Sequence, residues 1–540
     1  MRRTFLFRLV ILLAVSVSCG KNMDPDSGKT PRLRSITLEQ SSLVLPEGGS
    51  ATLTFSVKDP LFEFSELVLQ TASGDAPQEC CLQSFAPAST QGVYTAVIAD
   101  ANLHKSYELK LCLAIVQRNS ATGGKSFTLS PEFSVSSLRQ GPDTGLPVVC
   151  INTEDSVPIT SKTEYVAASL SIQAEGGYPG LESVNCSVRG RGNTTWEWPK
   201  KPYLVKLEAK QPILGMKKHK RWILLANFMD RTMMRNLVSM KVASMTGLDW
   251  TPHCVPVELV LNGKHQGNYL MIEQVRVDKD RVPVAEMKPE DSSGEALTGG
   301  YLLECDFHYD NEIQWMDKHG RCVQMGSGVP FGIKYPDPED ITEAQIQYIK
   351  GYISEAAAAL YGSNFKDPAA GYAKYIDVDS FVDYWLVFEV MCNHELGNPG
   401  SVYMHKDRGG KLVAGPCWDF DWGILSFFTS RGDKELVNRH AIWYERLFQD
   451  PEFASKVQQR FRQLLPQLNT IPAYMDECEA LLSRSAKLNF SMWNPAEDMS
   501  MNNGNIINGD EYMDFHSAVQ RLKDNYLKHL RVIDNKLAAN

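Results

Sequence analysis

Hydrophobic and polar positions divide the chain into two regimes. From Arg32 to about Gln140, apolar residues alternate with polar ones in short runs. These are Ser35–Leu38, Ser42–Leu45, Ala51–Val57, Val93–Ile98, Ser106–Val116 and Ser126–Val135. Leu53, Phe55 and Val57 share one face of the clearest run. A period of two predicts strands that bury one side, and turn residues such as Pro46-Glu47-Gly48-Gly49 separate them. From Val148 onward the pattern mixes buried-looking strands with helices of period 3.6. Strands are expected at Val148–Asn152, Asn185–Arg189, Lys200–Glu208, Trp222–Asn227 and Tyr301–Asp306. Val257–Leu261, Asn262-Gly263 and Asn268–Val275 predict a hairpin.

Helix signals are equally local. A helix is expected from an Asp230 cap to Met245, stopped by Gly247, with a stripe of Met233, Met234, Leu237 and Met240. Thr342-x-x-Gln345 is a capping box. Ser380–Cys392 is a strongly apolar helix, and Asp450-Pro451 sets an N-cap with Pro at the first helical position. Helices are also expected over Ala473–Leu488 and His516–Leu537, flanking an Asn/Gly-rich loop at Asn494–Asp510. The fold class implied is multidomain: an all-β, immunoglobulin-like sandwich over 32–140, followed by an α+β domain. Leu138–Pro147 links them.

The N-terminus changes the picture of location. Met1-Arg2-Arg3 is basic, and Phe5–Val17 is apolar apart from Arg8 and Ser16. Ser16-Val17-Ser18-Cys19 resembles a bacterial lipobox, with Cys19 as the lipidated residue. The run is too short for a permanent membrane span. The expectation is a signal peptide over 1–19, a polar tether over 20–31, and export to a lipid-anchored place on the outer membrane or cell surface. An ordinary signal peptide with an incidental Cys is the alternative. A net charge of −9 argues against a nucleic-acid-binding surface. Eleven cysteines follow Cys19 without a C-x-x-C spacing, which reads as mostly buried free thiols.

Candidate chemistry concentrates between Asn393 and Gly423. Asn393-His394-Glu395 precedes a hairpin built from Ser401–Met404 and Lys411–Ala414, and Trp418-Asp419-Phe420-Asp421-Trp422-Gly423 follows it. Asp419 and Asp421 point the same way if the backbone is extended. Aromatic neighbours would bury them, and buried carboxylates need a partner or a metal. An acid before the hairpin and Asp-x-Asp after it is the layout of a Mg²⁺-dependent phosphoryl-transfer site. A polar turn beside an acidic loop is the plainer reading. Gly190-Arg191-Gly192 can present N–H groups and a guanidinium to a phosphate, with Lys206 reaching in from the next strand. A tight turn and a solvated lysine are the alternative. Glu273 shares a strand face with Tyr269 and Met271 and wants a cation, for which Lys206 and Arg235 are the candidates. A metal-hydrolase site from His394, Glu395, Asp419 and Asp421 is a further reading, without the usual H-x-x-E spacing.

Six segments in order resemble the CotH family of atypical protein kinases. They are Arg191–Trp196, Lys200–Glu208, Arg221–Asn236, Leu261–Glu273, Gly299–Asp306 and Trp418–Gly423. The resemblance implies a protein-kinase-like domain over 147–490, with 491–540 as a helical extension packing on it. It implies ATP with Mg²⁺ or Mn²⁺ as cofactors. Lys206 would be the phosphate lysine, Asp419 the metal ligand and Asp421 its second ligand or support. Glu395 stands where the family usually has a catalytic Asp. The implied activity is phosphate transfer to a hydroxyl of a protein at the surface or in the periplasm, with membrane contact only through the lipid. Some family members act as adhesins, so a surface binding protein without transfer chemistry is the alternative.

Overall fold

The computed structural model describes residues 35–45, 50–58, 66–101, 107–118, 125–137, 141–308, 311–323, 325–426, 434–496 and 508–539. The expected signal peptide, Cys19 and the tether lie outside the described residues. The chain divides into two compact units, Met1–Arg139 and Gln140–Asn540.

The first unit is all-β. Its strands are β1 (Ile36–Leu38), β2 (Ser42–Val44), β3 (Ser50–Val57), β4 (Leu67–Gln70), β5 (Cys80–Pro87), β6 (Val93–Asp100), β7 (Tyr107–Arg118), β8 (Lys125–Leu129) and β9 (Phe133–Ser137). One sheet has the order β1-β3-β6-β5 and the other β2-β9-β7-β4, with β8 on β7. The period-two pattern explains the core. Leu53, Phe55, Ala96 and Ile98 from one sheet join Leu111, Leu113, Phe133 and Val135 from the other in one buried cluster.

The second unit is α+β. It opens with a closed seven-stranded barrel made of β10 (Val148–Thr153), β11 (Val166–Gln173), β12 (Leu181–Gly190), β13 (Tyr203–Gln211), β14 (His219–Leu225), β15 (Cys254–Leu261) and β16 (Lys264–Glu273). Parallel pairing of β10 with β15 closes it. Alternation along these strands serves two cores. Tyr203, Val205, Trp222, Leu224, Tyr269 and Met271 fill the barrel. Leu204, Ile223, Leu225, Leu270 and Ile272 point outward into the larger core shared with the helices.

A five-stranded sheet follows in the order β18-β19-β17-β20-β21. Its strands are β17 (Tyr301–Cys305), β18 (Gln314–Asp317), β19 (Val329–Tyr335), β20 (Val402–Lys406) and β21 (Leu412–Ala414). The helices are α1 (Thr194–Glu197), α2 (Arg235–Ala243), α3 (Gly294–Leu297), α4 (Glu343–Tyr361), α5 (Val378–Val390), α6 (Tyr444–Leu447), α7 (Pro451–Leu468), α8 (Ile471–Met492) and α9 (Phe515–Ala538). The capping box forms at α4, where Gln345 N donates to Thr342 Oγ1 and Thr342 N donates to Gln345 Oε1. Asp450 caps α7 ahead of Pro451. Val519, Leu522, Tyr526 and Ile533 of α9 belong to the same core as α5 and α8.

One helix start differs from expectation. Asp230 is not the cap residue of α2, which begins only at Arg235. Residues 230–234 form a turn, with Met233 at φ +54°, and the Asp230 carboxylate accepts Arg235 N from five residues back, at 2.8 Å. Asp230 is instead held by Thr232 and by the Arg235 guanidinium, so its position is set by the ion pair and not by helix capping. The eleven cysteines are free thiols, all buried except Cys81 and the half-buried Cys254. No helix among the described residues is long and apolar enough to cross a membrane.

Candidate active site

The stretch Asn393–Gly423 is held together by backbone devices that its sequence only partly announces. Helix α5 ends as Cys392 turns left-handed, at φ +52°. Asn393, fully buried, then accepts Glu395 N on its Oδ1 at 2.9 Å and starts a single helical turn over His394–Leu396. That turn aims His394 and Glu395 into a cavity of about 680 Å³. The hairpin β20–β21 follows, and the chain returns to the same cavity with Asp419 and Asp421.

Asp419 is not extended. Its φ is +65°, in the left-handed region, and Asn236 of α2 accepts the next amide, Phe420 N, at 2.7 Å. The two carboxylates nevertheless line the same cavity. Burial raises the pKa of both. Asp421 is pushed up to about 8, by burial first and then by the charges of Asp419 and Asp230, so the pair holds a proton at neutral pH. Burial, together with Asp419, Asp421 and Asp306, also raises Glu395 well above the usual carboxylate range. Arg191 opposes this, favouring the charged forms of Asp419 and Asp421.

The opposite wall comes from the barrel. Gly192, at φ +88°, lets the Gly190-Arg191-Gly192 turn fold back on itself; a Cβ there would collide with Thr195 Oγ1. Arg191 lies over the Trp418 ring, 5.6 Å from its centroid, and lines the cavity with Arg189. Gly423, at φ +69°, makes room for His394; a Cβ there would come within 2.8 Å of its Cε1. Trp198 and Trp422 stack nearly parallel at 6.1 Å along the same wall.

Arg191, Glu395, Asp419 and Asp421 therefore share one cavity, while two other expected residues do not line it. Lys206 is exposed, its Nζ 5.9 Å from the Tyr165 ring centroid. It shares a strand face with Leu204, which does line the cavity, but sits one pleat further along and pairs with Ser187 and Arg221. Glu273 is buried behind the wall. It accepts His253 N at 2.9 Å and stands 3.1 Å from His253 Nδ1, so the expected ion pair with Lys206 or Arg235 does not form. Arg235 is taken by Asp230 and Asp510.

Further charged side chains, Glu304, Asp306 and Arg276 among them, reach the cavity from positions the pattern left unassigned. Glu304 is bound to Lys334 at 3.0 Å. Asp306 accepts His308 N at 2.9 Å. Arg276 forms a two-pronged pair with Asp337 at 3.1 and 3.3 Å. The mixed acidic face of Tyr301–Asp306 was the one available signal for Glu304 and Asp306. For Arg276 there was none.

The donor set fits a small divalent cation. Asp419 and Asp421, half-buried on the cavity wall, could take such an ion in place of the proton that the pair holds. Among the described residues no group of three or more His, Cys, Asp or Glu side chains could hold a metal alone. Mg²⁺ suits a site of this kind, since it keeps several waters and takes one or two carboxylates together with substrate phosphates.

The family model described as "CotH kinase protein" matches residues 188–533, more than half of the chain. The chain belongs to the CotH kinase family. The matched span runs from the end of β12 through most of α9, so it takes in both walls of the cavity. No curated protein matches this CotH-family chain. Among solved structures, a chimeric titin Z1Z2 tandem carrying a fibronectin peptide is 14% identical, over 34% of this chain and 95% of that one. Its TM-score of 0.12 is too low to bear on the fold.

Proposed function

We propose that this CotH-family chain is an atypical protein kinase that transfers a phosphoryl group from ATP to a hydroxyl of a protein. The observation that carries the reading is the meeting of Asp419, Asp421, Glu395 and Arg191 in one cavity, acids on one wall and a guanidinium on the other. Asp419 and Asp421 would hold Mg²⁺ or Mn²⁺, which supplies neutralisation of the phosphate charge. Arg191, on its glycine-flanked turn, offers planar N–H donors to phosphate oxygens, with Arg189 beside it. Arg191 takes the phosphate-facing role that the resemblance gave to Lys206.

In the transfer, the acceptor oxygen forms a bond to the γ-phosphorus as the bond from that phosphorus to the bridging oxygen breaks. ADP leaves with the electron pair. The hydroxyl proton would pass to the Glu395 carboxylate, which burial and the neighbouring acids keep protonated until a bound divalent cation offsets their charge. Asn393 positions Glu395 by accepting its backbone N–H.

The second unit is proposed to be kinase-like in fold, with the barrel and helices enclosing the cavity. The two-sheet first unit is proposed to be an immunoglobulin-like spacer, and Cys19 a lipid anchor that puts the protein at the bacterial surface. Intact mass after incubation with ATP and Mg²⁺, beside an Asp419→Ala variant, tests the activity. A phosphate adduct on the parent alone is expected. No adduct together with no nucleotide-induced thermal shift would overturn the kinase reading and leave a surface binding protein.

A further inference from the structure

The acidic loop is fastened by a residue 85 positions beyond it. Asn508 is 1% exposed, and each polar group of its amide is used. Its Oδ1 accepts Gly423 N at 2.9 Å, and its Nδ2 donates to Asp421 O at 3.2 Å and to Met229 O at 3.0 Å. One side chain thus spans the two ends of the turn that presents the Asp421 carboxylate, and ties that turn to the loop before α2. Asn508 is itself fixed, because its N–H donates to Glu511 Oε1 at 2.6 Å.

Two residues on, the same segment fastens the loop again. Asp510 pairs with Arg235 at 2.6 Å, and Arg235 Nε donates to Ile424 O at 3.0 Å. Residues 508–511 therefore hold 421–424 at two points, one direct and one through Arg235.

The chemistry singles out an amide. The turn and the loop before α2 together offer one N–H and two carbonyls to the same spot, and only a side chain with one acceptor and two donors satisfies all three. An apolar replacement leaves three buried backbone groups unpaired. None of these bonds touches a carboxylate, so their effect on the site is through the placement of Asp421.

We propose that Asn508 is a positioning residue for the proposed phosphoryl transfer: it sets the Asp421 carboxylate at the geometry that a divalent cation requires. The proposal rests on the kinase reading above. Outer partners of metal ligands change metal affinity by about 10- to 100-fold when removed, and a loss in that range is the expectation for Asn508.

The test is a Mg²⁺ titration at fixed ATP, read as the thermal shift of the full chain, for the parent, Asn508→Ala and Tyr526→Phe. Tyr526 is a structural control in the same region, since its hydroxyl bonds Leu468 O instead. The expected result is a Mg²⁺ midpoint at least about tenfold higher in Asn508→Ala, an unchanged midpoint in Tyr526→Phe, and faster amide exchange over 419–424 in Asn508→Ala alone. If Asn508→Ala does not fold, Asn508→Ser, which keeps one hydroxyl donor and acceptor, carries the same measurement. A parent that responds to Mg²⁺ and a variant with the same midpoint overturn the positioning role, even if exchange rises. A parent that responds to neither Mg²⁺ nor ATP overturns the kinase reading, and the positioning role with it.

Discussion

Asp419 sits at φ +65° and still lines the same cavity as Asp421, two residues further on. The left-handed turn is pinned by Asn236, which accepts Phe420 N at 2.7 Å, and both carboxylates still reach the cavity without an extended backbone. Burial and the neighbouring acids hold a proton on the pair in the absence of a cation.

That proton makes metal binding depend on pH. Mg²⁺ must displace it, so apparent Mg²⁺ affinity should rise about tenfold per pH unit up to the Asp421 pKa of about 8 and level off above it. Stability of the metal-free protein runs the other way. The folded pKa is above the unfolded one, so this contribution is lost as pH rises from the ordinary 3.8 towards about 8. Calorimetry between pH 6 and 9, with and without Mg²⁺, reads both, and a flat Mg²⁺ affinity over that range contradicts the proton held on the pair.

Arg191 and Lys206 are predicted to behave differently. Arg191→Ala should weaken Mg²⁺–ATP binding by about 1.5–3 kcal/mol, as expected for a lost charged hydrogen bond. Lys206→Ala should leave it nearly unchanged, since Lys206 lies exposed outside the cavity. Nucleotide titrations of the two variants decide the matter, and a large loss in Lys206→Ala would return the phosphate role to the lysine.

Gly192 is predicted to tolerate no side chain. Gly192→Ala adds left-handed strain of about 1–2 kcal/mol, and its Cβ meets Thr195 Oγ1. Urea unfolding should show a loss of at least that size, with weaker nucleotide binding because Arg191 moves with the turn. Parent-like values in both would show that the turn relaxes freely.

Lys200 is predicted to be structural. Its ammonium is 2% exposed and donates to Ala226 O, Asn268 O and Asn489 Oδ1, joining β16 to α8. Lys200→Met should cost roughly 3–5 kcal/mol, because three buried acceptors lose their donor. In urea unfolding, a loss below about 1 kcal/mol would contradict this account.

Local chemistry made much of this molecule legible. The Thr342–Gln345 box, the Asp450-Pro451 start and the Asn262-Gly263 hairpin depend on neighbours within a few residues, so the sequence states them. The same holds for the alternation of Tyr203, Val205 and Leu207, whose period names a buried face without naming what fills it. Glu395, Asp419, Asp421 and Arg191 stand out by residue type and spacing, and the structure brings them to one cavity.

Tertiary structure decided the rest. A strand pattern says that Leu204 and Lys206 share a face, but not that the cavity ends between them. Glu273 found His253 and not a cation from another strand, because strand register sets which groups meet. Asp230 was drawn from helix capping into a buried pair with Arg235, and Asn508 lay in a loop whose composition carried no sign of a task. Buried polar groups must find partners wherever the fold places them, and partners 85 or 275 residues away leave no local pattern in the sequence.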